Sequence, residues 1–378
     1  MALKEMLAEE IANKIITKKP MFILDVSNEG DYKDWKVEGE AVTSINIPYF
    51  DLLDGVEEIL DQLPKNEQIL VVCAKEGSSK FVAEMLVEAG VEDVAYLQGG
   101  MKSWSEYLYQ AKVYENQDVK VYQFIRVGKG CLSYMVVSGN EALVVDSARF
   151  IDVYKNVAAV EGVTISHIVD SHLHADHISG GKELADETGA EYYIMKSEGA
   201  KFDFNALEDF TNIEFEKVNL EVLALKTPGH TPGSVSFFVN NKLLFSGDTI
   251  FVGGLGRPDL GGKAAEWAED LYETVYEKIT AIADEVIVLP GHYANLDEEM
   301  NENGFIGAAL GAIRAKNEMM QNKEKAEFVA MVEANANSET PPNFEDIVAI
   351  NKGVLAADDE KKTELEIGPN RCALHHTH

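Results

Sequence analysis

Between residues 172 and 177 the chain reads His172-Leu173-His174-Ala175-Asp176-His177, four metal-competent side chains in six residues. They cannot all be hidden in an apolar core, because each buried polar group needs a partner. Three later motifs repeat the theme: Thr227-Pro228-Gly229-His230, Phe245-Ser246-Gly247-Asp248 and Leu289-Pro290-Gly291-His292. Each runs from an apolar stretch through a glycine-containing turn to one nitrogen or oxygen donor. Glycine there lets the backbone come close to a site. Imidazoles and carboxylates delivered by separate loops to one point make a metal centre, open to redox or hydrolytic chemistry.

A second chemistry centres on Cys73. It ends the apolar run 69–73 and begins the loop Ala74-Lys75-Glu76-Gly77-Ser78-Ser79, which opens a helix. A thiol so placed faces backbone N–H groups and a helix N-terminus, and both favour thiolate over thiol. The same cradle suits a bound persulfide or an anionic sulfur donor. A buried core cysteine is the bland alternative, but the small residues Gly77, Ser78 and Ser79 favour function. Cys131 sits in an apolar strand context and reads as core. Cys372 lies in a tail, 369–378, whose histidines are excluded from the active site.

The elements that must position these groups fall into two sets. Up to about residue 112, apolar runs at 22–26, 69–73 and 94–97 alternate with helical segments at 3–16 and 79–89, the pattern of a parallel α/β sheet. From about residue 119 a meander of strands follows at 119–126, 131–138 and 142–145. Further strands are expected at 165–170, 220–226, 235–239 and 243–246, with a helix at 263–279. Helices at 306–316, 323–334 and 344–351 complete the chain, with a connecting loop at 335–342. The expected division is a domain at 1–112, a domain at 119–368 that includes a C-terminal helical extension, and the tail.

Length and composition agree. At roughly 150 residues per domain, 378 residues make two or three. Lys and Arg number 33 against 65 Asp and Glu, a formal charge of −32, which disfavours nucleic acid and anionic membrane surfaces as partners. A hydrophobic content of 46% supports real cores. No stretch of about 18 apolar residues is present, so no membrane span is expected. The first ten residues lack a signal peptide's apolar core. Three widely spaced cysteines cannot frame a disulfide fold. A cytoplasmic, reducing setting is expected, and a homo-oligomer is compatible with everything in the sequence.

The ligand order H-x-H-x-D-H, then His230, Asp248 and His292, resembles the metallo-β-lactamase superfamily over roughly residues 119–300. The resemblance implies an αββα sandwich with metals at one edge of its two sheets. It would place His172, His174 and His230 around one metal, Asp176, His177 and His292 around a second, and Asp248 as a bridge. His174 stands where flavodiiron oxygen reductases carry Glu, which disfavours that branch. The run Gly247-Asp248-Thr249-Ile250-Phe251-Val252-Gly253-Gly254-Leu255-Gly256-Arg257-Pro258-Asp259-Leu260 is similar to the persulfide dioxygenase branch, marked by Gly-Arg-x-Asp after the ligand Asp. Gly130 to Tyr134 and Val145 to Arg149 resemble that group's early strands. This branch implies one Fe(II) per chain held by His172, His230 and Asp248, with His174, Asp176, His177 and His292 orienting ligands and water. Two imidazoles and one carboxylate leave three iron positions open for O2 and a substrate sulfur. Nothing in the spacing forbids a second metal, and zinc is the alternative ion. Arg257 either pairs with a substrate anion or with Asp259. Tyr293 either hydrogen-bonds at the metal or packs in the core.

Residues 1–112 resemble the rhodanese family through Ile23-Leu24-Asp25-Val26, Ser44-Ile45-Asn46-Ile47-Pro48, the six-residue loop after Cys73, and Leu97-Gln98-Gly99-Gly100-Met101-Lys102-Ser103-Trp104. Ser27 replaces the family's usual Arg, and residues 35–42 lack its Gly-His-Ile-Pro-Gly run. Glu76 adds negative charge to a loop that thiosulfate-using members keep neutral or basic, with Lys75 and Lys80 available to offset it. Cys73 as a persulfide carrier survives these departures.

Three functions are therefore in contention. The first is iron-dependent oxidation of a low-molecular-weight thiol persulfide by O2 to sulfite and free thiol, coupled to sulfane-sulfur transfer through Cys73, which passes sulfur to sulfite to make thiosulfate or loads persulfide toward the iron domain. The second is a binuclear zinc thioester hydrolase of the glyoxalase II kind with an accessory rhodanese domain. The third treats the first domain as a docking module for a sulfur-carrying partner.

Overall fold

Buried β-rich runs in the first third form a five-stranded sheet in the computed structural model, which describes residues 3–215, 221–258, 264–321, 323–335 and 343–369. The strands are β1 (Lys4–Met6), β2 (Met21–Asp25), β3 (Val42–Asn46), β4 (Ile69–Val72) and β5 (Val94–Leu97), in the order β1-β5-β4-β2-β3 and all parallel. Every residue of β4 is fully buried. That explains its unbroken apolar sequence, because a parallel sheet is covered on both faces. Val82, Ala83 and Leu86 of the helix Gly77–Glu88 pack against Ile69 and Val71.

The helix expected at 3–16 starts later than its apolar spacing suggests. Lys4, Glu5 and Met6 pair as β1 with Ala95, Tyr96 and Leu97, and the helix runs Ala8–Ile16. Satisfying the backbone groups at the edge of β5 outweighs three more helical residues.

The remaining strands form two mixed sheets. One contains β6 (Tyr109–Glu115), β7 (Val119–Arg126), β8 (Cys131–Ser138), β9 (Glu141–Val145), β10 (Thr164–Val169), β11 (Glu191–Met195) and β12 (Asn205–Leu207), ordered from β12 back to β6. The other runs in chain order through β13 (Asn212–Glu214), β14 (Glu221–Lys226), β15 (Val235–Val239), β16 (Leu243–Gly247), β17 (Ile287–Pro290) and β18 (Ala308–Ala309). Tyr134 of β8 meets Phe245 of β16 edge to face, ring centroids 5.0 Å apart, so the sheets stack on one core. Helices Ala264–Glu273 and Lys325–Asn335 cover the second sheet through Ala268, Leu271, Phe328 and Val332. Helices Asp152–Glu161 and Gly181–Thr188 pack on β10 of the first. The layering is α/β/β/α, as expected.

Two helix expectations change at their ends. The segment expected as a helix at 306–316 first gives β18 two residues paired with β17, and the helix is Leu310–Lys316. The helix begun at Ala264 passes into a π-helical turn at Thr274–Lys278. Asn335, expected to open a loop, ends the helix Lys325–Asn335; the rest of that loop at 336–342, Asp259, and residues 370–378 with Cys372 lie outside the described residues. Among the described residues no helix is long and apolar enough to cross a membrane.

Candidate metal centre

The donors stand just past the C-terminal ends of strands: the 172–177 loop after β10, His230 after β14, Asp248 after β16 and His292 after β17. The ligand atoms of His172, His230 and Asp248 lie within 4.8 Å of one another, and all three residues are buried. His172 Nε2 and His230 Nε2 are 3.7 and 3.5 Å from Asp248 Oδ2. His230 donates its Nδ1–H to the Arg257 carbonyl at 2.9 Å, which turns its Nε2 lone pair toward this point. His172 Nδ1 lies 2.9 Å from Ser171 Oγ. Burial, helped by the neighbouring His174, holds His172 well below the usual imidazole pKa. Burial would raise Asp248, but the His292 charge and hydrogen bond outweigh it and hold the carboxyl well below its usual range. Two imidazoles and one carboxylate therefore converge. His172 Nε2 and Asp248 Oδ2 are buried and make no hydrogen bond. A buried polar atom left unpaired costs about 1–3 kcal/mol, which a bound cation offsets. The donor set fits Fe(II).

Backbone geometry sets the spacing. A Cβ on Gly256 would lie 1.7 Å from the Asp248 carbonyl oxygen, and one on Gly291 would lie 2.6 Å from Asp248 Oδ1. Neither position tolerates a side chain. Asp146, at the end of β9, accepts the Ser171 N–H at 2.6 Å and stands 3.4 Å from His174 Nε2. The donor atoms group His174 with Asp146 and Asp170 rather than with His172 and His230.

Residues that sequence reading passed over hold the ligand loops. Glu198 accepts the Leu173 N–H at 2.8 Å and the Thr231 hydroxyl at 2.9 Å, tying the first histidine loop to the His230 loop. Asn351 donates to the carbonyls of His174 and His177, both at 2.8 Å, and accepts the Ser179 N–H at 3.0 Å. Glu366 accepts the Ile178 N–H at 2.7 Å while Arg149 holds its other oxygen at 2.7 Å. No local pattern in the sequence marks them: Glu198 ends a short 3-10 turn, and Asn351 and Glu366 end the helices Phe344–Asn351 and Asp359–Glu366.

Asp176, His177 and His292 form a second group, and Cys131 belongs with them. Cys131 is buried, as expected of a core residue, but its sulfur faces polar groups: 3.5 Å to Asp176 Oδ2 and 3.7 Å to His177 Nδ1. The reading of Cys131 as apolar core is corrected accordingly. Burial opposes charge on this thiol, yet the His177 charge lowers it to about 7. Burial likewise disfavours charged His177, but the Cys131 and Asp176 charges push it up to about 10. Arg257 is buried beside the His230 contact just described. Tyr293 is buried, and its N–H donates to the Gly130 carbonyl at 3.1 Å.

In the first unit the Ser79 N–H points at Cys73 Sγ at 3.2 Å, with Ser79 Oγ also at 3.2 Å. Lys75, Ala74 and Gly77 are exposed around it. Glu76, at φ 95°, folds back so that its carboxylate accepts the Gly99 N–H at 2.7 Å. Its charge is spent on bracing the loop against Gly99. Lys80 lies over the Tyr96 ring at 5.4 Å.

Comparison with known proteins places both units. Residues 7–107 match the rhodanese-like domain family and residues 126–292 the metallo-beta-lactamase superfamily. The chain carries a rhodanese-like domain followed by a domain of the metallo-beta-lactamase superfamily. Over the second domain it is homologous to persulfide dioxygenases, being 36% identical to the mitochondrial persulfide dioxygenase of Bos taurus over 133 residues, 35% of this chain and 50% of that protein. It is also 33% identical over 142 residues to the hydroxyacylglutathione hydrolase of Rhodospirillum rubrum, covering 36% of this chain and 52% of that one. The chain thus spans about half the length of these curated relatives. A solved metallo-beta-lactamase from Staphylococcus aureus aligns with a TM-score of 0.55 at 27% identity, over 63% of this chain and 73% of that one.

Proposed function

We propose that the second domain oxidises a low-molecular-weight thiol persulfide with O2, using one Fe(II) per chain, and releases sulfite and the free thiol. The observation that carries this reading is the buried His172–His230–Asp248 face, in which His172 Nε2 and Asp248 Oδ2 lack hydrogen bonds. Fe(II) held there would supply open coordination positions for O2 and a substrate sulfur, together with the redox chemistry. His230 is fixed in orientation by the Arg257 carbonyl, and Asp248 by His292 at 2.6 Å. Arg257 supplies a cation for the substrate's anionic end or for the developing sulfite. The balance is simple: one persulfide, one O2 and one water give one thiol and one sulfurous acid. The S–S bond breaks, both atoms of O2 go to the outer sulfur, and that sulfur gives up four electrons to O2.

In the first domain Cys73 takes a sulfane sulfur as a persulfide, stabilised by the Ser79 N–H, and passes it to sulfite to form thiosulfate or returns it toward oxidation. The two described thiols, Cys73 and Cys131, are both free, which suits a reducing, cytoplasmic setting.

The zinc thioester hydrolase remains the second reading. The hydroxyacylglutathione hydrolase relative and the adjacent Asp176–His177–His292 group favour it. Anaerobically purified protein is expected to hold one iron per chain and to convert glutathione or coenzyme A persulfide to sulfite. Two zinc per chain, thioester cleavage and no sulfite would overturn the dioxygenase reading.

A further inference from the structure

The loop after Cys73 carries an acidic side chain at a position whose backbone favours glycine. Glu76 stands at φ 95° and ψ −42°, where a Cβ strains the chain. Two contacts hold it there. Its carbonyl accepts the Ser79 hydroxyl at 2.8 Å, and its carboxylate accepts the Gly99 N–H at 2.7 Å. Both partners border the thiol. Ser79 lies 3.2 Å from the Cys73 sulfur through its N–H and its hydroxyl. Met101, two residues past Gly99, donates its N–H to the Cys73 carbonyl at 2.9 Å. The Gly99 N–H is neutral, so it fixes the carboxylate in the loop without cancelling its charge. Lys80 is turned over the Tyr96 ring at 5.4 Å, and Lys75 is exposed, where water and salt screen it. The rim of the loop is apolar. Phe50, 69% exposed, and Phe81, 42% exposed, both meet Tyr49 edge to face, with ring centroids 5.5 and 5.9 Å apart. The turn Tyr49–Leu52 follows β3 and Cys73 follows β4, so in this parallel sheet both lie at the same edge. Exposed rings there suit the organic body of a thiol and offer an inorganic oxyanion nothing.

We propose that Glu76 is a specificity-determining residue that directs Cys73 to exchange sulfur between thiols and disfavours sulfite and thiosulfate. This rests on the reading of Cys73 as a sulfane-sulfur carrier. The Cys73 thiolate attacks the outer sulfur of a donor persulfide. The donor's S–S bond breaks, the outer sulfur keeps its proton, and the donor leaves as a thiolate. A second thiolate then attacks the outer sulfur of the Cys73 persulfide, takes it as a new persulfide and frees the Cys73 thiolate. No oxidant or reductant is consumed. In this exchange each attacking or leaving group brings a single negative charge to the outer sulfur, and the thiol's other charges lie many bonds away. Sulfite attacks with a second charge, and thiosulfate carries both charges beside the transferred sulfur. Transfer to sulfite and from thiosulfate share one transition state, so a fixed carboxylate next to it slows both directions. One extra unit of like charge at close range in a partly exposed loop is worth about 10-fold in rate. The favoured product is a low-molecular-weight persulfide, the substrate proposed for the second domain. Cys73 therefore feeds the oxidation more than it draws on its sulfite.

The test uses full-length protein under anaerobic conditions, so that oxidation does not consume the persulfide. Glutathione persulfide is the donor and coenzyme A or sulfite the acceptor, with coenzyme A persulfide and thiosulfate quantified after alkylation. Rates in Cys73→Ser give the background to subtract. The wild type should favour coenzyme A over sulfite in kcat/KM. Glu76→Gln keeps an oxygen for the Gly99 N–H and removes only the charge. Glu76→Gly suits the φ of 95° and guards against a failure to fold. Both should raise the ratio of sulfite to coenzyme A transfer about 10-fold, and speed transfer from thiosulfate to cyanide in step. An unchanged ratio in either variant, or a wild type that prefers sulfite, overturns the proposal. Wild-type transfer no faster than in Cys73→Ser sinks the carrier reading itself, a result distinct from Cys73-dependent transfer without selection.

Discussion

The side-chain amide of Asn351 donates to the carbonyl of His177 at 2.8 Å, from a helix 174 residues further along the chain. The same nitrogen reaches the His174 carbonyl, and the Asn351 oxygen accepts the Ser179 N–H. One residue of the C-terminal extension thus holds both ends of the tightest part of the ligand loop. Asn351→Ala is expected to keep the fold, lose about 1–3 kcal/mol in urea denaturation and weaken metal binding about 10–100-fold in chelator competition. Unchanged metal affinity would show that the loop holds itself.

Gly256 is the closest approach in the site. Gly256→Ala pushes a methyl group into the Asp248 carbonyl and should yield protein unable to retain stoichiometric iron, as measured by metal analysis after gel filtration. Gly30→Ala, where a Cβ meets nothing within 4 Å, is the matched control and should retain it.

Arg257 separates into two parts. Its carbonyl anchors His230, and backbone contacts survive side-chain replacement. Arg257→Lys keeps the charge but loses the bidentate fork. Iron content should hold while KM for the persulfide rises about 10-fold, near 1.4 kcal/mol. Loss of iron in this variant would assign the side chain to metal support instead.

Cys73→Ser should abolish sulfur transfer to cyanide or sulfite while leaving persulfide-dependent O2 consumption in place, since no ligand of the metal centre comes from the first domain. Transfer at the wild-type rate in this variant contradicts a carrier thiol and favours the docking-module reading.

The sequence made the ligand loops legible because each donor follows an apolar strand and a glycine turn, a local pattern. Strand positions were legible for the same reason, as in β4 and β8. Three things were not. Strand β1 was masked by helical spacing, since pairing with the free edge of β5 is a long-range effect. Cys131 looked apolar from its neighbours, and only the bridge to His292 turns its sulfur toward Asp176. Glu198, Asn351 and Glu366 carry no motif. They act through backbone groups of distant loops, and no spacing within their own helices reports that.

The most direct test of the central claim is oxygen consumption by anaerobically reconstituted Fe(II) protein supplied with a defined thiol persulfide. One O2 consumed and one sulfite formed per persulfide are expected, with both lost in His230→Ala and neither seen in the zinc-only protein. Absence of O2 uptake by the fully iron-loaded protein, with thioester hydrolysis appearing on zinc loading, would contradict the claim.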